Sequence, residues 1–238
     1  MSALLVVKCG SALASVRERR GDYEDWIVAG LGVAPDRAAV AAPASGDPLP
    51  DPRAPAAVVL TGSSAMVSAR EPWSERTAGW LREVVAAGTP LLGICYGHQL
   101  LAHALGGRVA RNPRGREIGT IEVELLPLAR RDPLFGGLPD RLTLQATHVE
   151  AVLELPPSAR RLAASAGDPH QAFAVGACAW GVQFHPEFDA DVIRGYLDAR
   201  RELLRGEGLD ADALLGAARD AAHGGEILRR FAALAGVA

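Results

Sequence analysis

The chain has 238 residues, 49% of them hydrophobic, with 25 basic and 28 acidic side chains and a formal net charge of -3. That length builds one large or two small domains with a sizeable core, and the balanced charge sets up no strong field for nucleic acid or an anionic membrane. The cysteines Cys9, Cys95 and Cys178 are too widely spaced for a disulfide framework or a CxxC metal site, so a reducing cytoplasm is the expected compartment.

Leu4–Val7 is a short apolar run with no basic region before it, which reads as a buried first strand rather than a signal peptide. Lys8 is the only lysine, and it stands outside any GxxxxGK[ST] frame, which excludes a P-loop nucleotidase. Tyr23–Leu31 predicts a helix with Asp22 as N-cap, Ala38–Ala42 a second strand, and the Pro-rich Ala42–Pro55 a surface loop. Ala56–Leu60 is a strand ending in Thr61-Gly62-Ser63-Ser64, Ser74–Ala87 a helix closed by Gly88, Pro90–Ile94 a strand, and Tyr96–Leu105 a helix closed by Gly106-Gly107. Continuous rather than alternating apolar strands, separated by helices, predict a parallel sheet covered on both faces. Strand-like segments then crowd together within Arg116–Leu128 and at Arg141–Thr147, Gln171–Gly176 and Ala179–Phe184, as in an antiparallel extension of the sheet. From Ala190 the chain reads as helical, with two short helices expected over Asp210–Ala238, broken at Gly224-Gly225. No apolar run approaches the roughly 20 residues of a membrane span.

The turn Gly93-Ile94-Cys95-Tyr96-Gly97 places one cysteine between a strand and a helix, flanked by glycines. This is the cysteine form of a nucleophile elbow. Small neighbours permit the tight turn, and the side chain projects above the carboxyl end of the sheet, where open α/β folds bind ligands. A helix N-terminus favours the thiolate, and its first N–H groups can face an oxyanion. A buried strand-end cysteine is the competing explanation. It is the better one for Cys178, expected in the core; Cys9 ends the first strand without an assigned role.

A nucleophilic cysteine needs a base, and the base an orienting partner. In Gly181–Phe188, "GVQFHPEF", His185 ends an apolar strand at the same sheet edge as Cys95, and Glu187 follows across a proline, in reach of the other ring nitrogen. A solvent-facing turn is the alternative there. Among the other histidines, His98 fits packing or shaping of a pocket, His103 a structural or surface place, His170 a turn, and His223 the C-terminal helices.

Together, "GICYGHQ" (Gly93–Gln99) and "QFHPE" (Gln183–Glu187) resemble the class I glutamine amidotransferases, with the closest likeness to the glutaminase domain of GMP synthetases and its stand-alone relatives. "TGSSAMV" (Thr61–Val67), "NPRGREIG" (Asn112–Gly119) and "QATHVEAV" (Gln145–Val152) fall at expected places, and "GDYEDWI" (Gly21–Ile27) resembles the stand-alone members. The resemblance implies a flavodoxin-like three-layer α/β/α sandwich, with a mostly parallel sheet and an antiparallel extension. Residues 1–200 would form the amidotransferase domain, and 201–238 a C-terminal helical extension packed on it. It further implies that Cys95 attacks the side-chain amide of glutamine, His185 shuttles the proton and Glu187 orients His185. Gly62, Ser63 and Tyr96 would hold the oxyanion through backbone N–H groups. Gln99 and the backbone edge Thr147-His148-Val149 would bind the rest of the substrate.

Two departures stand out. The family's oxyanion loop usually reads Gly-Gly-Pro; its second glycine allows unusual backbone angles, and Ser63 stands in its place. His148-Val149-Glu150 replaces a frequent His-x-Asp, so Glu150 is expected either as an exposed loop carboxylate or in an altered salt bridge to a partner domain. Arg116 and Glu117 are expected in the pocket or on a solvated face. No Ser-Gly-Gly-x-Asp-Ser loop of an ATP-pyrophosphatase occurs in the sequence. The first reading is therefore a glutaminase delivering ammonia to a separate synthetase. The second is a stand-alone hydrolase of γ-glutamyl compounds using the same residues, and the third a non-catalytic binding or regulatory protein. The C-terminal helices are expected as a cap on the sheet or as a docking surface for a synthetase or a second copy. No metal or organic cofactor, nucleic acid or membrane is implied.

Overall fold

A computed structural model describes residues 4–237. In chain order it forms β1 (Leu4–Val7), α1 (Ala14–Arg20), α2 (Tyr23–Leu31), β2 (Ala38–Ala41), β3 (Ala57–Leu60), α3 (Pro72–Ala87), β4 (Leu91–Ile94), α4 (Tyr96–Ala104), β5 (Arg108–Arg111), β6 (Glu117–Leu125), β7 (Arg141–His148), β8 (Glu150–Glu154), β9 (Arg160–Ser165), β10 (Ala172–Val175), β11 (Ala179–Val182), α5 (Ala190–Ala199), α6 (Arg201–Gly206), α7 (Ala211–Ala217) and α8 (Ala222–Ala235). One nine-stranded sheet runs β2-β1-β3-β4-β11-β10-β9-β6-β7, and β5 pairs with β8 in a separate ribbon. The pairs from β2 through β11 are parallel. Beyond β11 every pair is antiparallel.

The apolar runs of the central strands are continuous because both faces of the sheet are covered. Leu4, Val6, Val59, Leu92 and Ile94 point into one core with α2, α5 and α8. Their neighbours Leu5, Val7, Val58, Leu60 and Leu91 point into the other, beneath α3 and α4. This is the three-layer α/β/α sandwich with an antiparallel extension. Asp22 caps α2 in a full capping box with Asp25. Its carboxylate also accepts from the Ala12 amide at 2.7 Å and from Lys8 Nζ at 2.9 Å, so the single lysine fixes the loop after β1.

The C-terminal region differs from expectation. Gly224 and Gly225 lie inside α8 rather than breaking it. A Cβ on Gly224 would stand 2.4 Å from the Pro186 carbonyl oxygen, so the glycine serves close approach of the helix to the loop after β11. The strands β5, β8 and β9 and the helix α1 have no counterpart among the elements expected from sequence. No helix among the described residues is long and apolar enough to cross a membrane.

Candidate active site

The turn between β4 and α4 holds Cys95 at φ 51°, ψ -100°, in positive-φ backbone that residues other than glycine rarely adopt. Both flanking glycines are required by contact. A Cβ on Gly93 would lie 2.5 Å from the Gly97 carbonyl oxygen, and one on Gly97 2.5 Å from Leu60 Cβ. The chain therefore packs α4 directly onto the strand ends and lifts the thiol into the cleft above them. Cys95 is 5% exposed, and its Sγ lies 3.9 Å from the Thr147 carbonyl oxygen. The Gln99 amide is the first to bond back along α4, to the Cys95 carbonyl, which leaves the N–H groups of Tyr96, Gly97 and His98 unclaimed by the helix.

His185 follows β11, the parallel neighbour of β4, so the sheet brings it to the same edge as Cys95. Its Nδ1 lies 2.7 Å from Glu187 Oε1, with both side chains buried. A carboxylate only accepts, so Nδ1 carries the proton and Nε2 is left for the cleft. Phe188 stacks on the imidazole at 4.1 Å, Tyr23 lies parallel at 6.0 Å, and the His185 amide donates to the Gln145 carbonyl at 2.8 Å. Burial opposes charge on both partners, yet the mutual field wins. Burial alone would lower the His185 pKa, while Glu187 and Cys95 raise it. Burial would raise the Cys95 thiol, while the His185 charge brings it below its ordinary value. The pair therefore favours thiolate and imidazolium.

Gly62 is buried against the imidazole: a Cβ there would stand 2.8 Å from His185 Cε1. Ser63 does not occupy positive-φ backbone, so a serine fits this loop without strain. Its Oγ accepts from the Ala65 amide at 3.1 Å. Glu150 does not lie on an exposed loop, and it forms no salt bridge among the described residues. It is 5% exposed and holds Ser68, whose hydroxyl and amide both donate to its carboxylate. Glu150 thus ties the segment following the Gly62-Ser63 loop to β8.

Gln99 lines the cleft, but its Nε2 is committed to the Glu150 carbonyl and Gln183 Oε1, both at 2.9 Å. The His148 ring turns away from the thiol: Nδ1 lies 2.9 Å from the Glu150 carbonyl oxygen and Nε2 2.9 Å from Glu117 Oε2. Both partners only accept, so both nitrogens are protonated and His148 is a buried cation. Its pKa is raised accordingly, Glu117 outweighing burial. Glu117 also accepts from Ser165 and Gln171, each at 2.6 Å.

The cleft has two lobes on either side of Cys95. One, of ≈ 170 Å³, is lined by Gln99 and Thr147-His148-Val149. The other, of ≈ 220 Å³, is lined by His185, Tyr23, Tyr196 and the Ala12-Leu13-Ala14 loop. Ser63, Thr147, Cys95 and Arg200 face both. Arg200 is absent from the residues expected from sequence: it sits at the break between α5 and α6, and no local motif marks it. Arg116 also lines the first lobe, paired to Glu207 by two bonds of 2.7 and 3.0 Å. The remaining candidates lie elsewhere. His98 is buried on Phe173 with its pKa pushed down by burial to about 3, and so is neutral. His103 pairs with Glu75, and His223 accepts from the Thr143 amide. Cys9 is buried with its pKa raised by burial to about 12. Cys178, expected in the core, is partly buried beside the Gly88 carbonyl.

Comparison with known proteins gives these arrangements a context. Residues 47–195 match the family model described as glutamine amidotransferase class-I. The chain is 43% identical over 136 residues to a GMP synthase (glutamine-hydrolyzing) of Aeropyrum pernix, covering 57% of this chain but 25% of that protein. It is 38% identical over 124 residues to a GMP synthase (glutamine-hydrolyzing) subunit of Thermococcus kodakarensis, covering 48% of this chain and 62% of that one. Among solved structures, a glutamine amidotransferase from Thermotoga maritima superposes with a TM-score of 0.78 at 24% identity, over 99% of this chain and 98% of the other. The last likeness shows the fold.

Proposed function

Given that the chain belongs to the class I glutamine amidotransferase family, we propose that it hydrolyses the side-chain amide of glutamine and passes the ammonia to a separate synthetase. The observation that carries this reading is Cys95 at a strained strand–helix turn, in the field of an imidazole that is itself held by a buried carboxylate. Cys95 Sγ attacks the amide carbon. The oxyanion that forms is held by backbone N–H groups at Tyr96 and at the Gly62-Ser63 loop, where a preorganised donor is worth about 10²–10³ in rate. His185 gives its proton to the departing nitrogen, and the amide C–N bond breaks to leave a γ-glutamyl thioester. Water, deprotonated by His185, cleaves the thioester to glutamate. Glu187 holds the ring for both proton transfers.

The glutamyl portion occupies the lobe bounded by Gln99 and the Thr147-His148-Val149 edge. Gln99 acts there mainly by positioning, since its amide nitrogen is engaged within the protein. Residues 1–200 carry the chemistry, and 201–238 form a helical extension tied to it through the Arg116–Glu207 pair. A cytoplasmic setting suits the free thiols. The decisive experiment is glutamate release from glutamine, by the chain alone and beside Cys95→Ala. Release that disappears in the variant supports the assignment. Release that persists refutes the thiol mechanism.

A further inference from the structure

The two lobes are chemically unlike: Arg200 faces both, but the first also carries Arg116 and Glu150, whereas the second carries His185 and no carboxylate among the described residues. His185 lines only the ≈ 220 Å³ lobe, so the nitrogen it protonates departs on that side. Ammonia is a water-sized molecule, for which roughly 30 Å³ suffices. The lobe is therefore far larger than the leaving group of glutamine requires. Its wall is mostly small or aromatic. No carboxylate among the described residues lines it, and beside the catalytic imidazole its one cationic side chain is Arg200.

Arg200 is partly buried, with the guanidinium 5.1 Å above the Tyr196 ring and NH1 donating to Thr147 Oγ1 at 2.6 Å. It has no carboxylate partner among the described residues, whereas Arg116 beside it is neutralised by Glu207. Burial, and then the nearby Arg116 charge, disfavour its cationic form and lower its pKa, against smaller opposing effects of Tyr196, Tyr23 and Cys95. A guanidinium with no carboxylate bonded to it in a cleft can take an anionic ligand, and its fork matches a carboxylate. We infer that Arg200 is a specificity-determining residue that binds a carboxylate on the leaving-group side of Cys95, so that the site takes γ-glutamyl amino acids in addition to glutamine.

The chemistry is that proposed for glutamine, on which this inference rests. The Cys95 sulfur bonds to the γ-carbonyl carbon, the C–N bond breaks, and the His185 proton goes to the departing α-amine. Water then cleaves the thioester, giving glutamate and a free amino acid. A γ-glutamyl polyamine, cationic at the same place, is disfavoured by Arg200.

Calorimetric binding to Cys95→Ala tests the inference without turnover, using γ-glutamyl-alanine and γ-glutamyl-ethylamide, which differ in the carboxylate. Adding Arg200→Gln should weaken γ-glutamyl-alanine by about tenfold or more, as expected for loss of a charged hydrogen-bond pair, and the ethylamide several-fold less. Arg200→Lys should fall between, and it replaces the glutamine variant if that one loses its circular dichroism signature. Equal weakening of both ligands, or binding of the ethylamide without γ-glutamyl-alanine, overturns the inference. Turnover separates it from the parent reading. Hydrolysis of glutamine but not of γ-glutamyl-alanine by the wild-type chain refutes this inference alone. If neither is hydrolysed, the glutaminase reading fails while the binding comparison still decides the role of Arg200.

Discussion

A single residue, Pro186, separates His185 from Glu187, and it fixes the bend that lets the carboxylate meet Nδ1 at 2.7 Å. The consequence is electrostatic. Glu187 raises the His185 pKa, and the His185 charge lowers that of Cys95 toward the thiolate. Replacing Glu187 by Gln removes the charge with little change of shape. The pH midpoint for iodoacetamide alkylation of Cys95 should then climb toward the ordinary thiol value of about 8.5, and the rate at neutral pH should drop. Glutamine turnover should fall by about 10²–10⁴, the usual worth of general acid–base catalysis. An unchanged alkylation midpoint would show that the thiol does not depend on this pair.

At the level of elements, α8 and the loop after β11 meet at Gly224. Glycine inside an exposed helix ordinarily costs about 0.8–1.0 kcal/mol relative to alanine, so Gly→Ala there is normally stabilising. Gly224→Ala should do the opposite. Its Cβ would press on the Pro186 backbone, and overpacking of this kind costs about 1–3 kcal/mol. Because Pro186 links His185 to Glu187, the same change should lower turnover from outside the cleft. Gly225→Ala is the internal comparison. The new methyl meets only the flexible end of Arg229 at 3.1 Å, so stability should hold or rise. Urea denaturation and glutamate release on the two variants read both effects.

Across the whole molecule, the antiparallel extension is pinned by a buried charge pair. His148 ends β7 and Glu117 begins β6, and the register sets them opposite each other. The folded pKa of His148 lies above the unfolded value of about 6.5. The pair's stabilisation is thus fully present below about 6.5 and is lost as pH rises through the raised folded value. Glu117→Gln leaves an uncompensated buried cation, a change that typically costs 3–5 kcal/mol. The loss measured by urea denaturation should be largest near pH 6 and shrink as pH rises through the raised folded pKa of His148. A loss independent of pH would assign Glu117 a neutral hydrogen-bonding role instead.

Features whose physics is local are written in the chain itself. Strand runs such as Leu4–Val7 and Leu91–Ile94 are legible because burial on both faces demands unbroken apolar residues. The elbow is legible because its tight turn excludes any side chain at Gly93 and Gly97. The α2 start is legible in Asp22, three residues before Asp25. His185 and Glu187 are legible because their contact spans two residues. Whatever depends on distant partners emerges only on folding. Glu150 finds Ser68, 82 residues away, which no neighbouring residue announces. Arg200 reaches Thr147, 53 residues back, only because the chain breaks between α5 and α6 above the cleft. The helix runs through Gly224-Gly225 because packing on Pro186 outweighs weak local propensity. Short strands such as β5 and β9 exist by virtue of the strands they pair with, and a pairing energy is absent from any single segment.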